Sequence, residues 1–188
     1  MKRIILGTAG VLFTLSSVAI CTQGAVPPTL ATDITAADVQ TVITAPTGGG
    51  DRQMKVVDMG KYNMSVGVLR RGKTNPGAPV GAINHTQITE VYYIVSGSGT
   101  LLTGGVVEGA KPLPADGEIV KVAVGPSNQG TFKQAAQSRK VSAGDIVIIP
   151  PGVYHGFTDV DDHVEYVSVR PDPDHVLPAG YVHPLLKK

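Results

Sequence analysis

The sequence predicts an all-β domain of short antiparallel strands, either a sandwich or a barrel. Three observations point there. Glycine (23 residues) and proline (14 residues) are frequent and aromatic residues make up only 5%, so turns come often and long elements are few. The run Glu90-Val91-Tyr92-Tyr93-Ile94-Val95 is β-branched and aromatic, which suits a pleated, half-buried surface. After residue 51, short apolar segments recur between Gly, Pro and Ser clusters. Hydrophobic residues at 42% of a 188-residue chain supply one core, and the length suits one domain better than two.

Residues 1–24 stand apart. Lys2 and Arg3 give a basic start, Ile4 to Ile20 are apolar and uncharged, and Thr22 and Gly24 are small residues at −3 and −1 of a cut after Gly24. This is the layout of a secretory signal peptide, so the mature chain is expected in the periplasm or outside the cell, with no stable membrane span. An N-terminal anchor is the alternative, because the apolar stretch is near the shortest that spans a bilayer. Lipid attachment at Cys21 fits less well, since Ile20 is bulky where that processing needs a small residue. Loss of the segment takes the 16 basic residues to 14 against 15 acidic ones, and removes the only cysteine. A cysteine-free chain suits an oxidising compartment and excludes a thiol nucleophile or a zinc–thiolate site. A balanced charge without long runs of one sign gives no footprint for nucleic acid.

Residues 25–50 form a leader in which Thr35-Ala36-Ala37-Asp38 resembles a capping box, predicting a short helix to about Ile43. The barrel or sandwich is expected over residues 51–170. Strands are predicted at Met54–Met59, Tyr62–Leu69, Glu90–Val95, Glu118–Val124, Asp145–Ile149, His155–Thr158 and Val164–Val169. Ser96-Gly97-Ser98-Gly99 reads as the tight turn of a hairpin returning through Thr100-Leu101-Leu102. Residues 104–142 are polar and weakly patterned, either a lid over the barrel mouth or an elaborated surface hairpin. The Pro-punctuated tail, residues 171–188, is expected to pack on the surface.

Two segments carry the chemistry. The second in sequence is the more complete: Gly144, five residues, Pro150-Pro151-Gly152, two residues, His155, three residues, Asp159. The first reads Gly77, five residues, Ile83-Asn84-His85, four residues, Glu90, six residues, Gly97. Together they resemble the two motifs of the cupin superfamily over roughly residues 52–170, in the manner of small bacterial single-domain cupins. Two departures stand out: Asp159 replaces a final Asn, and Ile83 falls where the first motif has its first His. In a second register, His85 takes that first place and Gln87 the second. Residues i and i+2 of a strand share a face, so Ile83, His85 and Gln87 point one way, and Glu90 needs a bend to join them.

The resemblance implies an antiparallel double-stranded β-helix, a jelly-roll barrel, with one divalent metal ion held by His85, Glu90 and His155, and with Gln87 as a further candidate ligand. Two imidazoles and a carboxylate suit Fe, Mn, Ni or Zn alike. Without a metal, each of these histidines is an ordinary strand-end residue, and Ile83 argues for that reading. Parity places Tyr92 and Phe157 inside as core residues, with Tyr92 alternatively donating its hydroxyl to a substrate. Arg70-Arg71 reads as a solvated strand end, with carboxylate binding as the alternative. The expectation is a metal-dependent enzyme of oxygenase or isomerase type acting on a small organic substrate; the alternative is a non-catalytic binding or structural barrel. By analogy with the family, a homodimer is expected.

Overall fold

Thr35 begins the first element. In the computed structural model, which describes residues 28–46 and 50–187, its hydroxyl accepts the Asp38 N–H at 3.1 Å, and the Asp38 carboxylate accepts the Thr35 N–H at 2.9 Å. This capping box opens α1 (Ala36–Ile43), as the sequence predicts. Val42 and Ile43 bury against Met54 and Val68. Arg52 Nη1 donates to the Val42 and Ile43 carbonyls at 2.8 and 2.6 Å, satisfying acceptors that a helix C-terminus leaves open. The expected signal peptide, with Cys21, lies outside the described residues. Among those residues, no helix is long and apolar enough to cross a membrane.

From Asp51 onward strands dominate: β1 (Asp51–Asp58), β2 (Asn63–Gly72), β3 (Gly81–His85), β4 (Glu90–Pro112), β5 (Ser127–Ser142), β6 (Ile146–Ile149), β7 (His155–Thr158) and β8 (His163–Asp172). All their pairings are antiparallel. One sheet runs β1-β2-β8-β4, with β6 on the other side of β4. In the other, β4 pairs with β5, β5 with β3, β3 with β7, and β7 with β4 again, closing a ring. This is the expected antiparallel double-stranded β-helix with a short N-terminal helix. Leu69, Tyr92, Ile94, Leu101, Val141 and Tyr166 form its main core.

Two local expectations are corrected. β4 runs on through Ser96-Gly97-Ser98-Gly99 instead of reversing there. Before that segment β4 pairs with β6 and β8, and after it with β5 and β7; the register against β8 shifts between Ile94 and Ser96. Gly97 has φ of 68°, and a Cβ there would lie 2.0 Å from the His163 carbonyl oxygen. The glycines therefore serve a bulge and a close approach as the strand changes sheets. The second correction is at Glu118–Val124, expected as a strand, where Val120–Val124 forms a π-helical turn. Val120, Ala123 and Val124 are buried and Lys121 is exposed, so the apolar spacing is three and four, not two. Residues 104–142 are thus mainly the long β4–β5 hairpin, with this turn folded back against β1.

The tail packs on β1. Val182 bridges to Lys55, and Leu177 buries with Val56 and Ile88. Asp172, at the end of β8, accepts the Val176 and Leu177 N–H groups at 3.0 and 2.9 Å and so pins the start of the tail.

Candidate metal centre

Three strand ends bring the site together. His85 closes β3, Glu90 opens β4, and His155 opens β7. All three side chains are buried. Residues 86–89 supply the bend that lets Glu90 face the histidines. Glu90 Oε2 lies 3.1 Å from His85 Nε2 and 3.1 Å from His155 Nε2. One ligand atom from each residue falls within 4.8 Å of the others.

A second layer fixes these groups. Glu90 Oε1 accepts from Ser168 Oγ at 2.8 Å and from Arg170 Nε at 2.9 Å. Tyr92 donates its hydroxyl to Oε2 at 2.8 Å. Arg170 is fully buried and also binds Asp51 Oδ2 at 2.5 Å and the Ala123 carbonyl at 3.0 Å. Burial opposes ionisation of Glu90, but the Arg170 guanidinium beside it works against burial, and the carboxyl is held well below its usual range. Burial, with Glu90 adding to it, pushes the Tyr92 phenol well up, so Tyr92 stays a hydroxyl donor.

The hydrogen-bond network also assigns the imidazoles. His155 Nδ1 lies 3.1 Å from the Val153 carbonyl, which can only accept, so Nδ1 carries a proton. His85 Nδ1 lies 2.8 Å from Ser127 Oγ. That hydroxyl has the Val124 and Gly125 carbonyls as acceptors at 3.2 and 2.9 Å, so its one proton is directed at this pair and it accepts from His85. In neutral form, both rings present the Nε2 lone pair to a carboxylate oxygen. Three electron-rich atoms so placed repel one another unless a proton or a metal cation lies among them. The donor set therefore fits a divalent ion, and each ring's Nδ1 contact is the outer hydrogen bond that metal-binding histidines use.

Ile83 and His85 both line the cavity, of about 800 Å³, that opens onto the cluster, together with Tyr92, His155 and Phe157. Gln87 is not brought to the site: its side-chain amide donates to Asp174 Oδ2 at 3.3 Å. Its expected ligation thus has no support in its placement, because the strand ends at His85 and the face alternation ends with it. Tyr92 faces inward as expected. Arg170, Ser168, Asp51 and Ser127 are site residues that the motifs do not contain. Arg170 had one signal: one residue beyond the predicted strand Val164–Val169, it continues the inward parity of Tyr166 and Ser168, and an inward charge implies a buried partner.

A family model, Cupin, matches residues 36–181. No curated protein matches the sequence. Among solved structures, the Bacillus halodurans protein BH2720 is 14% identical with a TM-score of 0.49, over 85% of this chain and 93% of that one. A conserved protein with a double-stranded β-helix domain from Klebsiella pneumoniae is 16% identical with a TM-score of 0.44, over 77% and 93%. KdgF from a Halomonas species is 14% identical with a TM-score of 0.39, over 65% and 79%. The family match takes in most of the chain and both histidines of the cluster, and by it the chain belongs to the cupin family.

Proposed function

We propose that this chain is an exported cupin that holds one divalent metal ion through His85, Glu90 and His155 and transforms a small organic substrate in the adjoining cavity. The observation that carries this reading is the convergence of two Nε2 lone pairs on Glu90 Oε2, within hydrogen-bonding distance and under cover. Three protein ligands leave positions for substrate or water, and the ion would supply Lewis-acid or redox chemistry there, in keeping with an oxygenase or isomerase. Arg170 and Ser168 hold Glu90 by one oxygen and keep it ionised. Tyr92 limits the motion of the other by donating its hydroxyl to it. Ile83 and Phe157 give the cavity apolar walls beside the cluster.

Ile83 also favours a second reading, a metal-containing barrel that binds a small molecule without transforming it, since the ligand set is one imidazole short of the family motif. Oxygen uptake and product formation from diphenol, thiol and dicarbonyl compounds separate the two. Turnover that chelation abolishes, and that His155→Ala lacks, is the expected result; metal-replete protein inert toward all three classes would leave the binder. For export, the expected finding is a mature N-terminus at Ala25, read by mass spectrometry of protein from the periplasm or medium. A homodimer is part of the same proposal. Tyr93 and Ile146, which pair across β4 and β6, are 47% and 61% exposed, and Ile148 is 68% exposed. These residues make an apolar face at the edge of the sheet, of a kind that partners cover.

A further inference from the structure

Arg71 lines the same cavity as the metal-ligand cluster. On β2, Arg71 pairs with Val164 and Leu69 with Tyr166, both buried core positions of β8, so strand parity turns Arg71 inward. Its Nε donates to the Tyr166 hydroxyl at 3.2 Å. Among the described residues, its two terminal nitrogens have no hydrogen-bond partner. Gly50 leaves room for one of them: a Cβ there would lie 2.7 Å from Arg71 Nη1. An aromatic wall joins this guanidinium to the cluster. The Tyr166 and Tyr92 rings lie 4.3 Å apart, and the Tyr92 and His155 rings 6.0 Å apart.

Charge then points to the occupant. Arg170 sits between Glu90 and Asp51, at 2.9 and 2.5 Å, so this buried group carries one net negative charge. Arg71 cancels it. Of the other charged groups around the cavity, Arg70 pairs with Glu165, Glu108 pairs with Lys133, and Lys111 at the rim adds positive charge. A divalent ion at the cluster is left without a counter-charge, in a space walled largely by aromatic, amide and apolar groups. We propose that the cavity binds a small organic carboxylate, with its carboxylate accepting from the terminal nitrogens of Arg71 and its remainder lying along Tyr166 and Tyr92 toward the metal ligands. A guanidinium with two parallel donors on one side matches a carboxylate in shape as well as charge. The charge count rests on the metal reading above; the geometry of Arg71 does not.

The test is calorimetric titration of the full chain, manganese-loaded and chelator-stripped in parallel, with metal content measured on each sample. The probes are acetate, lactate, malonate and benzoate, each against its neutral amide. At least one carboxylate is expected to bind the loaded protein at least about tenfold more tightly than its amide. Arg71→Met should weaken that carboxylate by a similar factor with metal content unchanged, and Arg71→Lys should restore part of the loss. Circular dichroism of both variants establishes that they are folded. Equal affinity in wild type and Arg71→Met, equal affinity for acid and amide, or no binding by any probe would overturn the proposal. Protein that takes no metal yet binds a carboxylate through Arg71 would remove the metal reading and keep this one. Metal-replete protein whose carboxylate affinity ignores Arg71 would do the reverse.

Discussion

Glu90 divides its two oxygens between two tasks. Oε1 is held by Ser168 and Arg170, and Oε2 meets His85, His155 and Tyr92. Removal of Arg170 would leave Glu90 and Asp51 buried without their cation, so Arg170→Met should cost about 3–5 kcal/mol in denaturant unfolding and lower metal content. Gln87→Ala should leave metal content unchanged, since the Gln87 amide is turned to Asp174. The three residues of the cluster were legible as candidates because the motifs place them at short, local offsets. Arg170 was not, because its meaning depends on Glu90 and Asp51, which are 80 and 119 positions away in sequence. Asp159 shows the opposite case. Its φ of 49° lies in the left-handed region, where Asn and Asp are the favoured residues after glycine, so its stand-in for the motif Asn is a conservative change.

The bend in β4 is the element on which the barrel turns, and local sequence misled there. Ser-Gly-Ser-Gly between apolar runs has the composition of a hairpin turn. Whether a chain reverses at such glycines or bulges through them depends on which strands await it, and those strands, β7 and β8, come more than fifty residues later. Gly97→Ala should therefore cost about 2 kcal/mol or more in thermal unfolding, since a side chain meets the His163 carbonyl in a backbone conformation that disfavours it. The bend is stitched to its neighbours by Ser96, which donates to Glu165 Oε2 at 2.6 Å, while Glu165 also pairs with Arg70 of β2. Burial raises the Glu165 pKa, but Ser96 and Arg70 more than offset it, and the carboxyl titrates below its usual value. Its folded pKa is thus below its unfolded one, so its contribution is complete above the unfolded value and lost as pH falls through the folded value. Glu165→Gln should make stability less sensitive to acid, read as a smaller fall in urea midpoint from neutral to low pH.

At the scale of the whole molecule, the His85–Glu90–His155 cluster joins the two sheets of the barrel. His85 and His155 sit on β3 and β7 of the closed ring, and Glu90 opens the half of β4 that pairs with β6 in the other sheet. The π turn at Val120–Val124 and its exit strengthen the link, since Ala123 and Val124 supply carbonyls to Arg170 and to the Ser127 that orients His85. The all-β class was legible from turn frequency and strand periodicity, whereas the closure was legible only through the spaced motifs, because no local pattern encodes which edges join. The outer face around Tyr93, Ile146 and Ile148 gives a further prediction: light scattering should show a dimer, and Ile148→Lys should shift it toward monomer. Elemental analysis of the purified protein, after exposure to Fe, Mn, Ni and Zn and desalting, should find about one equivalent of a divalent ion per chain, reduced at least roughly tenfold in His85→Ala and His155→Ala. Wild-type protein without stoichiometric metal, or variants that keep it, would contradict the account.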